Sequence, residues 1–226
     1  MIQILMTRLR QGLRTWPFPK GKPPVLPGRF RGRAVVAPGQ APVDMGQMTF
    51  TPDSGTKHSC DFRMAVSRRE DLILTGDEQV LARALDEKMR RIFGRSLKLR
   101  QVSAGGCNAC ESDINVLNTA VFDLSRFGIQ FVASPRHADG IVVTGPVTRN
   151  MRQALLKTYE AVPDPKIVIA VGACAISGGI FADSPQGSSG LDTIIPVDLY
   201  IPGCPPHPWT ILDGLLRLLG KIENAR

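Results

Sequence analysis

Five short strand-like runs recur in the second half of the chain, and four of its five cysteines stand just beyond three of them. The runs are LKLRQV (97–102), IQFVAS (129–134), GIVVTG (140–145), KIVIAV (166–171) and LYIP (199–202). Helices are expected near 110–125, 149–161 and 208–219. Apolar runs without alternation predict strands covered on both faces, and strand–helix–strand order predicts parallel pairing. The expected fold is therefore α/β, an open parallel sheet with helices on both faces.

In such a sheet the carboxyl ends of the strands share one edge, where ligands bind. Cys107 and Cys110 follow the first run, Cys174 lies three residues after KIVIAV, and Cys204 lies two residues after LYIP. Four cysteines from three loops are thus expected on one edge. Their loops suit an anionic group. Gly105 and Gly106 allow close backbone approach, and VGACAISGG surrounds Cys174 with small residues whose amides can close over an anion. PGCPP follows Cys204 with two prolines that stiffen the loop. Four thiolates suit zinc or an iron–sulfur cluster. One C-x2-C pair plus two isolated cysteines favours a [4Fe–4S] cubane over a zinc ribbon, which uses two close pairs. A redox disulfide within the C-x2-C pair is a third reading.

At 226 residues the chain can bury one sizeable core. No apolar run is long enough to span a bilayer, and the N-terminus lacks the apolar core of a signal peptide. A cytoplasmic chain is expected, where structural disulfides are rare. The net charge of +8 has a local origin. Residues 1–33 carry 8 Lys/Arg and no acid, leaving 20 basic and 20 acidic residues in the remainder. Ile4, Leu5, Leu9 and Leu13 among the arginines predict a short amphipathic helix before Pro17, suited to anionic lipid or an acidic partner. A solvated tail is the plainer alternative. No aromatic platform or helix-turn-helix accompanies the charge, so nucleic acid is not an expected partner.

Residues 17–60 are rich in Pro and Gly and read as extended or poorly ordered. A helix is expected over 77–93, with Thr75 and Glu78 as a capping box, Leu81, Leu85, Met89 and Ile92 as its apolar stripe, and Gly94 as its stop. The expected division is an arm and docking segment over 1–76 and an α/β domain over 77–226, with residues 1–33 outside the core.

The segments GGCNACESDI, RFGIQFVASPRHADGIVVTGPVTRNM, PDPKIVIAVGACAISGGIF and VDLYIPGCPPHP resemble the small iron–sulfur subunit shared by respiratory complex I and the membrane-bound, energy-converting [NiFe] hydrogenases. The likeness covers about residues 97–219. It implies a flavodoxin-like domain with one [4Fe–4S] cluster, whose four ligands match Cys107, Cys110, Cys174 and Cys204. The complex I branch has adjacent Cys-Cys as its first two ligands, whereas Cys-Asn-Ala-Cys here resembles the group 4, formate hydrogenlyase type. The resemblance implies an electron-transfer subunit that is not catalytic alone. Its implied partners are a large hydrogenase or 49 kDa-like subunit, a ferredoxin-like iron–sulfur subunit and membrane subunits. They would hold it peripherally at the cytoplasmic face of the inner membrane. A quinone-reducing complex I-type subunit is one alternative, and a zinc-binding or metal-free scaffold is another.

RFRGRAVV and CDFRMAVSRREDLIL resemble the flanks of the two-cluster ferredoxin subunit of the same complexes. The interval Val36–Ser59 has no cysteine, so residues 28–75 read as a relic kept for docking, or as a chance likeness. Cys60 is expected to be a free thiol. Glu111 is a candidate to tune the cluster or relay a proton, or simply a first-turn helix acid. Arg136 and His137 are candidate neighbours of the cluster, and His207 a candidate hydrogen-bond donor to it or a helix start. Asp139 and Thr144 are expected to organise loops.

Overall fold

The computed structural model describes residues 2–12, 14–21, 25–47, 56–76, 79–94 and 96–222. Its elements run α1 (Ile2–Gln11), β1 (Ala34–Val35), β2 (Val43–Asp44), β3 (Lys57–His58), β4 (Ile73–Leu74), α2 (Glu87–Phe93), β5 (Leu97–Ser103) and α3 (Ala109–Val116). They continue with β6 (Ile129–Phe131), β7 (Gly140–Thr144), α4 (Arg149–Ala161), β8 (Ile167–Val171), α5 (Ala173–Ser177), β9 (Leu199–Ile201) and α6 (Pro208–Leu218).

The five strand-like runs become one parallel sheet, ordered β6-β5-β7-β8-β9. Every residue of β7 and β8 is buried. Their side chains divide by strand periodicity. Val142, Ile167, Ile169 and Val171 pack with Ile114, Leu117, Leu212 and Leu216 of the α3–α6 side. Ile141, Val143, Val168 and Ala170 pack with Leu155 of α4 and with Ala175 and Ile176 of α5. The sheet is thus covered on both faces. In order of appearance its strands lie 2-1-3-4-5, the flavodoxin-like arrangement, with the switch point between β5 and β7.

The Pro/Gly-rich front of the chain is more ordered than its composition suggests. β1 pairs with β3 and β2 with β4, both antiparallel. Val66 and Tyr200 exchange both backbone hydrogen bonds, at 3.0 and 2.9 Å, and so close part of the free edge of β9. Ala34, Met45, Met64, Val66 and Leu72 are fully buried. Residues 1–33 are not all outside the core either. Trp16 and Phe18 pack edge-on against Trp209 of α6, with ring centroids 5.9 and 4.9 Å apart. α1, in contrast, is helical over Ile2–Gln11 and buries none of its described side chains, while Leu13 of the expected stripe lies outside the described residues.

The helix expected over 77–93 shrinks to Glu87–Phe93. Asp86 is its cap, accepting from Met89 N at 2.8 Å, and Gly94 ends it. Asp77 and Glu78 lie outside the described residues. Upstream, Ala82 N donates to Ala65 O and Leu85 N to Leu218 O. These tertiary bonds draw 79–86 into an extended strap, overriding a helical pattern that propensity alone favours. Of the stripe, Leu85 and Met89 reach the core, while Ile92 is exposed. α3 also stops short of its expected end. The chain turns after Val116 and resumes as a 3-10 turn at Leu124–Phe127.

Candidate metal centre

Cys107 and Cys110 sit where β5 passes into α3, Cys174 lies in α5 directly after β8, and Cys204 follows β9. All three loops therefore leave the same carboxyl edge. Backbone hydrogen bonds lace them together. Ala104 N donates to Thr144 O at 2.8 Å and Thr148 N to Ala104 O at 3.0 Å, joining the β5 and β7 loops. Gly172 N donates to Ile201 O at 2.9 Å and Ala173 N to Gly203 O at 2.8 Å, joining the β8 and β9 loops.

Gly172 closes the gap between these two pairs. Its φ is +89°, and a Cβ there would lie 2.6 Å from Cys110 Sγ. Any side chain would be strained and would displace the thiol. A second close approach lies at the switch point, where a Cβ on Gly145 would come within 2.5 Å of Gly106 N. The β5 loop thus reaches the β7 and β8 loops through glycine contacts.

Cys110 and Cys174 feel the other cysteines electrostatically. Burial pushes the Cys110 thiol up, and the negative charges of Glu111, Cys174, Cys204 and Cys107 push it further. Burial likewise raises Cys174, to about 11, with Cys204 and Cys107 adding to the shift and a backbone bond from Ile180 opposing it. Burial and neighbouring negative charge thus disfavour the thiolate form of Cys110 and Cys174, a cost that a bound cation would offset. Cys60 takes no part; it is an exposed free thiol beyond β3.

Glu111 is buried beside Cys110. Burial would raise its carboxyl, but hydroxyls of Ser103 and Thr144 each donate to Oε1 at 2.6 Å, and the net direction is downward. A fixed buried carboxylate therefore stands behind the second cysteine. Thr144 organises this loop as expected. Ser103 escaped sequence reasoning, because only the α3 fold-back makes it a neighbour of Glu111. Asp139 also organises its loop, accepting from Lys98 N at 2.6 Å.

His207 is the helix start. Its Nδ1 accepts from Trp209 N at 3.2 Å, and burial lowers its pKa, favouring the neutral ring. The ring meets Phe30 edge-on at 5.5 Å and lines, with Arg29, Phe30, Arg31, Asp113 and Cys204, a cavity of about 300 Å³. Arg29 and Arg31 belong to the basic arm and to the ferredoxin-like RFRGRAVV segment. Arg136 and His137 are not part of this edge. They are exposed, in a 3-10 turn of the crossover from β6 to β7. That crossover rejoins the sheet at the level of Lys98, in the amino half of β5, whereas Cys107 follows its carboxyl end. Among the described residues, no three His, Cys, Asp or Glu side chains are gathered tightly enough for a single metal ion.

The chain is thus an α/β protein whose open parallel sheet brings four cysteines from three loops to its carboxyl edge. A profile of the NADH ubiquinone oxidoreductase 20 kDa subunit matches residues 107–218, a stretch that contains all four of these cysteines. The chain belongs to that family. It is 47% identical over 134 residues to a probable membrane-bound hydrogenase subunit of Pyrococcus furiosus, covering 59% of this chain and 80% of that one. It is 45% identical over 151 residues to formate hydrogenlyase subunit 7 of Escherichia coli, covering 67% of this chain and 58% of that subunit. Among solved structures, a chain of an archaeal membrane-bound sulfane sulfur reductase matches with TM-score 0.53 and 38% identity. That match covers 63% of this chain and 78% of the other.

Proposed function

We propose that this chain is the electron-transfer subunit of a membrane-associated, complex I-like [NiFe] hydrogenase. In this reading Cys107, Cys110, Cys174 and Cys204 hold one [4Fe–4S] cluster. The observation that carries it is the convergence of three cysteine-bearing loops on one sheet edge. When bound, such a cluster supplies one-electron redox chemistry at a potential set by its surroundings. The chain's own contribution is a stiff, laced set of loops, small residues that admit the sulfurs, and the Glu111 carboxylate, whose fixed charge disfavours added electrons nearby. Cys107 is exposed and Cys204 borders the cavity beneath Phe30 and His207, so the edge is open to a large catalytic subunit. A ferredoxin-like subunit and membrane subunits are the further partners of this proposal, at the cytoplasmic face of the membrane.

Zinc fits less well, because zinc ribbons use two close C-x2-C pairs and this chain has one. A cubane, in which each cysteine binds a separate iron, suits one C-x2-C pair and two isolated cysteines. The C-x2-C pair and the likeness to hydrogenase subunits favour hydrogen chemistry in the large partner. The family match itself favours a second reading, a quinone-reducing complex.

The chain prepared without oxygen is expected to be brown, to carry about four irons, and to give an EPR signal on reduction. Stoichiometric zinc without iron after anaerobic reconstitution would defeat the proposal. Nickel in the co-purified large subunit is the expected companion result; quinone reduction by a nickel-free complex would establish the second reading instead.

A further inference from the structure

α1 is an amphipathic helix whose apolar stripe is left exposed by the described residues. Ile2, Leu5, Met6 and Leu9 follow i, i+3, i+4, i+7 spacing and form one stripe, yet they are 78%, 61%, 45% and 71% exposed. A ten-residue helix has little stability of its own in water, so this stripe calls for a covering surface. Its charge identifies the kind. Residues 1–33 hold 8 cationic and no acidic side chains, and Arg10 and Arg14 are exposed. Leu5 and Leu9 also form, with Arg14, Thr15 and Ala120, an open groove of about 620 Å³, apolar along the helix and cationic at one end.

The helix is tethered to the domain. Trp16 N donates to Val121 O at 2.9 Å, and Trp16, Val121 and Val116 remain 39%, 41% and 37% exposed. The tether lies beyond the end of α3, and Trp16 also packs on Trp209 in the first turn of α6.

We propose that α1 is a membrane-surface helix, laying Ile2, Leu5, Met6 and Leu9 into an anionic phospholipid bilayer with Arg10 and Arg14 at the level of the phosphates. Leucine and isoleucine on one face, cations beside them and a tryptophan at the boundary are what an interfacial helix requires. The absence of acids in residues 1–33 matches a negatively charged surface. The proposal does not depend on the cysteine chemistry.

Flotation of the full chain with lipid vesicles tests it. The chain should float with vesicles of phosphatidylcholine and phosphatidylglycerol, at least about tenfold better than with phosphatidylcholine alone, and less well as salt rises. The Leu5→Glu/Leu9→Glu variant should lose roughly a hundredfold in partition, since burying each leucine is worth about a factor of ten. Its thermal unfolding should stay unchanged, because both side chains are already exposed. Equal flotation of the variant, or equal binding to neutral vesicles, would overturn the proposal. So would failure of the unaltered chain to float; if the variant were then also lost from its membrane complex, the stripe would be a protein-docking face.

Discussion

Replacing Cys204 with alanine is expected to abolish or convert the cluster as surely as replacing Cys107, although 97 residues separate the two. Only the fold joins them. Cys204 leaves β9 beside the β8 loop, held there by the Gly172–Ile201 and Ala173–Gly203 hydrogen bonds of 2.9 and 2.8 Å. The β8 loop in turn touches Cys110 through the bare Cα of Gly172. Removing one thiolate should leave the apolar sheet folded, because β7 and β8 are buried along their whole length. The loops should then loosen, and amides in 104–112 and 172–179 should exchange faster with solvent. Iron analysis, EPR and hydrogen exchange read these effects. An intact four-iron signal in Cys204→Ala, with both loops still protected, would exclude Cys204 as a ligand.

The largest stability loss is expected from Trp209→Ala. Trp209 is 4% exposed, and its indole is ringed by Trp16, Phe18, Phe62 and Phe122, with centroids 4.9 to 6.2 Å away. Those partners come from the arm, the β3–β4 segment and the α3–β6 connection, so one side chain packs three segments against α6. A buried tryptophan cut to alanine costs about 3–5 kcal/mol in lost transfer energy and cavity formation. With a urea dependence of about 1–3 kcal/mol per molar, the midpoint should fall by roughly 1 M or more. A loss below about 1 kcal/mol would mean that the front of the chain is not anchored through this ring cluster.

The aromatic cluster also marks where the sequence was hard to read. The sheet was legible because β7 and β8 are unbroken apolar runs bounded by Gly, Pro and Asp, and α4 was placed at its observed residues, 149–161. The cysteine edge followed from parallel topology alone. Strand order did not, and rested on the family resemblance. β1 to β4 are two residues each, too short to show a period, so neither the buried Met45 of the Pro/Gly-rich stretch nor Met64 and Leu72 just after it were legible. The 79–86 strap misled because its apolar spacing is helical, while its backbone bonds go to Ala65 and Leu218. α5 was missed because five small or short residues give no amphipathic stripe. The Ser103–Glu111–Thr144 cluster needs contacts across 8 and 33 residues, which no local pattern announces.

The central claim is that one group, bound through sulfur from three loops, occupies the carboxyl edge of the sheet. Iron K-edge X-ray absorption on the anaerobically prepared chain tests it most directly. Every iron should be surrounded by sulfur alone, with other irons as the next neighbours, as a four-thiolate cubane requires. Iron bound by nitrogen or oxygen, or iron without iron neighbours, would contradict the account.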